Sequence, residues 1–148
     1  MALTKITNNV LADNAVTTGK ILDSNVTTGK LATSSVTSVK VGTEFTTASA
    51  LTAAATIDVD YTAAQVFTLT PNANTTLNIT NPVIGVSKVI VVTGAGGTNT
   101  VGFTVGGVAG TFNRISGTYD DAAAAKNFIQ IICVGATEFW YTISQIAV

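Results

Sequence analysis

The sequence contains no histidine, and this absence removes the commonest general base of enzymes. It also excludes Ser-His-Asp and Cys-His catalytic arrangements. Cys133 is the only cysteine, so the chain offers neither a disulfide framework nor a structural zinc site. Because Cys133 lies in the apolar run Phe128–Val134, we predict that it is a small buried hydrophobic residue. We therefore expect a protein without catalytic activity, cofactor or bound metal.

Carboxylates are the catalytic candidates that remain. Asp58 and Asp60 lie two residues apart, so they share one face of a strand, and Asp120 and Asp121 are adjacent in a predicted loop. Either pair offers oxygen ligands suited to calcium, and two acids across a cleft would serve a glycosidase. Solvated acids on strands and turns are the commoner arrangement, so the sequence favours a structural role for all four.

Charge is also scarce. Charged residues make up 10% of the chain and hydrophobic residues 47%, whereas soluble domains carry about a quarter charged residues. We infer that copies of the chain cover much of its surface. The net charge of −1 and the dispersed basic residues argue against nucleic-acid binding. Every apolar run is too short for membrane insertion, and the start MALTKITNN lacks the pattern of a signal peptide.

What the chain does contain is a ten-residue motif written four times across residues 5–44. The copies are KITNNVLADN, AVTTGKILDS, NVTTGKLATS and SVTSVKVGTE. Self-similarity at a fixed period is typical of arrays in which each unit packs against its neighbours. Apolar residues, here called the anchors, recur every five positions within this repeat segment. The anchors are Ile6, Leu11, Val16, Ile21, Val26, Leu31, Val36 and Val41.

The five-residue spacing of the anchors fits neither an α-helix nor a flat strand. Successive anchors would rotate by about 140° around a helix, and on a strand they would alternate between its two faces. Short extended pieces joined by turns fit better, and a single chain of this kind buries too little apolar surface to fold alone. We predict a shaft over residues 1–44, intertwined in a homotrimer, with the anchors facing the axis. A disordered Thr/Asn/Lys linker is the alternative, although a linker needs no such register.

After Glu44 the sequence becomes a series of short strands, and Ile57 and Val59 alternate with Asp58 and Asp60. We predict an all-β protein in which residues 45–148, here called the head, form an antiparallel β-sandwich or jelly-roll-like domain. Three hairpins are expected. They pair Val66–Thr70 with Thr76–Thr80, Lys88–Thr93 with Thr100–Val105, and Phe128–Val134 with Phe139–Ser144.

Turns and one aromatic side chain are the candidate ligand contacts. Gly94 and Gly96 follow a strand as in a dinucleotide-binding turn, but Asn99 occupies the third glycine position and a strand follows instead of a helix. Trp140 and Tyr141 are adjacent on a strand, so one packs in the core while the other contacts a sugar or another subunit. The candidate contacts are Asn72, Asn74, Gly94, Gly96, Gly107 and Trp140.

The repeats AVTTGKILDS and NVTTGKLATS resemble the AVTTAKLADG-type decapeptides of tail-fibre and head-fibre proteins of tailed bacteriophages. The segments FTLTPNANTTLNITNP, SKVIVVTGAGG and TEFWYTIS are similar to the β-rich heads that follow such repeats. The resemblance implies a homotrimer that is anchored through its N-terminus to a capsid or tail protein and displays the head on the virion surface. The first and fourth copies depart from the pattern at Asn9-Val10-Leu11 and at Val39, which implies separate roles for the two ends of the array.

The function expected from these features is structural. We predict a non-enzymatic protein of a phage virion, a short head fibre or capsid decoration protein, because adhesive tail fibres are normally longer. A short tail fibre that recognises host cell-surface glycan is the main alternative. A self-assembling extracellular filament subunit is the other.

Overall fold

The computed structural model describes residues 16, 17, 19, 21, 25–33, 35–37 and 40–146, and the chain divides into two units, residues 1–37 and 38–148. In the described part of the first unit, Thr28–Lys30 forms one 3₁₀ turn. The backbone N–H of Lys30 donates to the carbonyl of Thr27 at 2.9 Å. The backbone bends at each anchor that the structure describes. Short pieces joined by turns therefore describe this part of the repeat segment.

In the second unit, a four-residue helix precedes a series of strands. The helix, α1, is Thr43–Thr46, and its N-terminal flanking residue Gly42 makes no side-chain cap. The strands are β1 (Ala48–Ala50), β2 (Thr56–Asp60), β3 (Val66–Leu69), β4 (Thr75–Thr80), β5 (Ser87–Thr93), β6 (Val101–Val105), β7 (Thr111–Ser116), β8 (Lys126–Cys133) and β9 (Glu138–Ile146). The prediction of an all-β head is confirmed.

The strands form two sheets, and the chain winds between them. Sheet A has the order β1-β3-β5-β8-β9-β7, and sheet B has the order β2-β4-β6. From β1 to β6 the chain changes sheet at every connection, and neighbouring strands of one sheet are parallel. Ala48 pairs with Val66, and Val66 with Val89, so each turn of the winding stacks on the one before. This stacking is that of a β-solenoid, to which β7, β8 and β9 add the far side of sheet A.

The first two predicted hairpins are wrong. Strands β3 and β4 lie in different sheets, as do β5 and β6. The turns Pro71–Asn74 and Gly94–Gly97 carry the chain across from one sheet to the other, because each strand pairs with its equivalent in the next turn of the winding. The third hairpin is confirmed, with Phe128 opposite Ser144 and Cys133 opposite Phe139. Antiparallel pairing is thus confined to β5–β8 and β8–β9 among the strand pairs described. The prediction of an antiparallel head is therefore wrong for the other pairs, which are parallel because the chain winds in one direction between the sheets.

The inward side chains of both sheets form one hydrophobic core. Its members include Ile57 and Val59 of sheet B and Ile90 and Ile129 of sheet A, each less than 9% exposed. The prediction for Cys133 is confirmed, since it is fully buried in this core. Burial raises the pKa of its thiol. Tight alternation along β2, β5 and β8 produces this packing, because every second side chain of a strand faces inward.

The two adjacent aromatic residues of β9 face opposite sides of the sheet, as expected. Tyr141 packs inward, with its ring centroid 4.9 Å from that of Phe103. Trp140 faces outward and is 47% exposed. The prediction that one of the pair packs inward is therefore confirmed, and a sugar or subunit contact at Trp140 stays a prediction.

One inward position on β5 carries a lysine. Lys88 is fully buried, and its ammonium group donates a hydrogen bond to the backbone carbonyl of Glu44 in α1. The ammonium lies 5.4 Å from the ring centroid of Phe45 and 5.6 Å from that of Tyr61. Burial lowers the pKa of Lys88, and the negative charges of Glu44 and Asp60 oppose that shift. Lys88 therefore ties the helical turn to the end of the core.

Candidate interaction surfaces

The anchors of the repeat segment are exposed in the single chain. Ile6 and Leu11 lie outside the described residues. The six that the structure describes have exposed fractions between 36% and 58%. They are Val16, Ile21, Val26, Leu31, Val36 and Val41. A single exposed valine needs no explanation, but an evenly spaced series of exposed Val, Ile and Leu side chains is a candidate contact surface.

The lysine of the third repeat packs along its own copy. The Lys30 ammonium group donates to the backbone carbonyl of Asn25, five residues earlier. Both residues are exposed. The bond is therefore local and solvated, and it leaves the neighbouring anchors Val26 and Leu31 uncovered.

The acidic pair on β2 accepts hydrogen bonds from sheet B and from the residues that follow its strands. Asp58 accepts a bond of 2.7 Å from the side-chain amide of Asn78. Asp60 accepts from the amide of Asn81 at 3.0 Å and from the backbone N–H of Thr62 at 2.9 Å. The Asn81 bond is the main cause that holds the pKa of Asp60 below its ordinary value. Within the described ranges, no three His, Cys, Asp or Glu side chains come together as a metal site would need.

The carboxylate of Asp121 forms hydrogen bonds with the backbone of a neighbouring loop. Its carboxylate accepts hydrogen bonds from the backbone N–H groups of Ala95 at 3.0 Å, Gly97 at 3.2 Å and Asn99 at 2.8 Å. The hydroxyl of Tyr119 donates a fourth bond, at 2.8 Å. The Ala95 bond is the largest cause that lowers the pKa of Asp121 to about 2, although burial acts in the opposite direction. The loop from 94 to 99, which contains the predicted ligand contacts Gly94 and Gly96, is thus held in place by hydrogen bonds to the Asp121 carboxylate.

Gly94 is not accessible to a ligand. It is buried, and its backbone N–H donates to the carbonyl of Ala125 at 2.7 Å. A Cβ atom at this position would lie 2.2 Å from the carbonyl oxygen of Ala122, so only glycine fits. The structure therefore places Gly94 in close backbone packing and not on an accessible surface.

The other predicted contact residues do not form one site. Asn72, Asn74 and Gly96 lie in connections from sheet A to sheet B, which stack along one edge of the head. The side-chain oxygen of Asn74 accepts from the N–H of Thr100 at 3.0 Å and joins two of these connections. Gly107 lies in a connection that runs back from sheet B to sheet A, on the opposite edge. The winding therefore separates residues that the sequence analysis grouped together.

Trp140 is the predicted contact residue whose side chain both makes a hydrogen bond and borders a surface depression. Its indole N–H donates to a carboxylate oxygen of Glu138 at 2.9 Å, and the amide of Asn113 donates to the same oxygen at 3.1 Å. These bonds hold the exposed ring in one orientation. A shallow depression of about 210 Å³ lies beside it. Its lining is Ser87, Ile115, Gln130, Ile132, Trp140, Tyr141 and Thr142.

Three roles were missed by the sequence reasoning, namely those of Asp121, Glu138 and Lys88. Each depends on a partner far along the chain or on a neighbour whose geometry a sequence does not display. Asp121 reaches residues 22 to 26 positions away, and Lys88 reaches a residue 44 positions away. A signal was present only for Lys88, since a lysine inside a strand of alternating inward residues is unusual.

Comparison of the chain with protein-family models, with curated proteins and with solved structures found no match. None of the helices in the described residues has the length and apolar character needed to cross a membrane. The exposed anchors and the surfaces of the head are therefore the features that bear on function.

Proposed function

We propose that this chain is a non-enzymatic structural protein of a tailed-phage virion, a short homotrimeric head fibre or capsid decoration protein. One observation carries the proposal: the six described anchors recur every five residues, and all are exposed in the single chain. An ordered array of this kind needs partner chains, and the resemblance of its decapeptides to those of phage fibres supplies the context.

In this proposal, three chains wind around a common axis over residues 1–44. Each anchor then meets the same residue of the two other chains, which buries apolar surface that one chain alone leaves in water. The head follows the shaft, and its two sheets pack over a shared core as a sandwich. The low charge of the whole chain, 10%, supports a surface that is largely shared between copies.

The proposed attachment partner is a capsid or tail protein, bound through the N-terminus. The degenerate first repeat supports this assignment, because Asn9-Val10-Leu11 replaces the Gly-Lys-Leu or Gly-Lys-Ile of the next copies.

Labelling of virus particles tests this function. An antibody raised against the full chain should bind purified particles and place gold label on the capsid in electron micrographs. Label at the tail would support the tail-fibre alternative. Particles that carry the protein neither on capsid nor on tail would refute a virion role.

A receptor-binding adhesin is the second candidate, and the fixed, exposed indole of Trp140 is the observation that favours it. Ser87, Gln130 and Thr142 line the same depression as the ring, so a sugar that stacked on the indole would find hydroxyl and amide groups in that depression. Binding of the full chain to a glycan array, lost in Trp140→Ala, would favour the adhesin. Open-ended polymerisation of the purified protein would instead favour a filament subunit.

A further inference from the structure

The outer faces of the two sheets differ sharply in chemistry. Both sheets turn one face toward the shared core, so each has a second face that no described residue of the core covers. In a monomer in water, both outer faces should be polar. Only sheet B meets this expectation.

The outer face of sheet B is built from threonine, asparagine and aspartate. A hydrogen-bonded row crosses its three strands, in which Asn78 donates to Asp58 at 2.7 Å and accepts from the hydroxyl of Thr104 at 3.2 Å. Thr56 and Thr76 are paired in the row beside it. Polar rows of this kind satisfy one another and suit a face that stays in contact with solvent.

The outer face of sheet A is apolar across its central strands. Its outward apolar side chains are all half-buried or exposed in the single chain. They are Val66, Val89, Val91, Phe128, Ile132 and Trp140. Between them lie uncharged polar residues such as Gln130 and Thr142, which are paired across β8 and β9. On this outer face, charged side chains lie at strand starts or on the edge strand, at Lys126, Glu138 and Arg114, whereas Lys88 of β5 faces inward.

The sequences of β5 and β8 also indicate that the outer face of sheet A is covered. The runs VIVV in β5 and FIQII in β8 are almost continuously apolar, although only alternate residues face the core. Continuous apolar runs are typical of strands that are buried on both faces. In the single chain, only the inner face of these strands is buried, so a covering surface is missing from the outer one.

We propose that the outer face of sheet A is the contact surface between heads in the homotrimer. This inference rests on the proposed trimeric function. The face has a charge-free centre, so a charged partner finds no complement there, whereas a second copy presents the same uncharged apolar surface. Six strands at about 4.8 Å spacing and a seven-residue β5 give a face of roughly 24 Å by 24 Å. Such a face measures roughly 580 Å², smaller than the ~800 Å² that each partner contributes to a standard interface but of the same order.

The chain provides its own reporter for this contact. Trp140 is the only tryptophan, and it lies within the proposed surface. Its emission and its quenching by acrylamide therefore report directly on whether the face is covered. In the single chain the ring is 47% exposed, so an uncovered face leaves it accessible to quencher.

The test compares three full-length proteins by sedimentation, circular dichroism and Trp140 quenching. They are the wild type, Gln130→Lys at the centre of the outer face of sheet A, and Thr76→Lys at the equivalent place on the central strand of sheet B. We expect Trp140 to be protected in the wild-type trimer. Gln130→Lys should raise the quenching constant several-fold, because each lysine would be buried against its symmetry mates. Thr76→Lys should leave quenching unchanged.

The possible results separate this inference from the proposed function. A wild-type trimer whose Trp140 is fully accessible to acrylamide overturns the head contact, leaves the trimer standing, and frees the face for the glycan role. Protection of Trp140 in a chain that sediments as a monomer also overturns the contact, since the cover then belongs to the same chain. An unprotected monomer contradicts the trimeric function itself. The wild-type measurement decides the matter even where Gln130→Lys does not fold.

Discussion

At the scale of single residues, Asp121 shows how this head fixes a loop with one carboxylate. One carboxylate gathers the N–H groups of Ala95, Gly97 and Asn99 and the hydroxyl of Tyr119. Hydrogen bonds to the charged form of a carboxyl lower its pKa. The loop between β5 and β6 is therefore fixed by a group that must stay ionised, which links the stability of the head to pH.

Asp121→Asn should lower the free energy of unfolding at neutral pH, because an amide has one acceptor oxygen and places N–H donors against backbone donors. The pKa of Asp121 is about 2 in the folded chain and 3.8 ordinarily, so its stabilisation is complete above about pH 5 and is lost as the pH falls toward 2. Urea unfolding at pH 7, 5, 3 and 2 should show the difference between wild type and variant shrinking with acid.

Asp120→Asn is the matched control for that measurement. Asp120 is adjacent and exposed, and its side chain accepts one backbone hydrogen bond, from Ala122. Its replacement should change stability little at any pH. A wild-type advantage over Asp121→Asn that is the same at pH 2 as at pH 7 would contradict the role assigned to the carboxylate.

At the scale of elements, the repeat segment depends on its anchors. Val26→Asp, or Leu31→Asp, should shift the full chain from trimer toward monomer in sedimentation, because a carboxylate on the axis is repeated in every subunit and left unpaired. Lys30→Ala lies between these two anchors and should keep the trimer, since the lysine makes an exposed, local bond to Asn25.

A Val26→Asp protein with the same dissociation behaviour as the wild type would show that the anchors do not face a shared axis. Circular dichroism of each variant separates loss of association from loss of the β-fold. Because the head belongs to the second unit of the chain, its spectrum should persist in all three proteins.

The elements themselves were predicted better than their pairing. Alternation identified β2, and apolar runs with turn residues identified β3 to β6, β8 and β9. The turn Gly135–Thr137 is short, and its two strands pair with each other. Pro71–Asn74 and Gly94–Gly97 carry similar turn chemistry, yet they join different sheets. Turn residues determine where a chain bends, whereas the pairing partner depends on contacts 18 or more residues away, which a local pattern does not encode.

The candidate site was predictable to a similar extent. Trp140 was recognised because adjacent strand residues face opposite ways, which is a local rule. The burial of Gly94 and the separation of Gly107 from Asn74 depend on how the connections stack, so they required the structure. The apolar outer face of sheet A was present in the sequence as the runs in β5 and β8, but only the sheet order shows that they lie side by side.

At the scale of the whole molecule, the exposed anchors, the apolar outer face of sheet A and the scarce charge are the features that support the proposed trimer. A monomer would leave Val36 58% exposed, Ile115 68% exposed and Trp140 47% exposed. The proposed trimer would remove such surfaces from water in each of its copies. The proposed virion role depends on that assembly, because a shaft with one chain has no interior.

Sedimentation equilibrium of the full-length protein over a wide range of concentrations tests this central claim most directly. We predict a single species of three times the 15.0-kDa chain mass, stable to dilution into the micromolar range. A species of one chain mass at every concentration would contradict the trimer, and with it the proposed shaft.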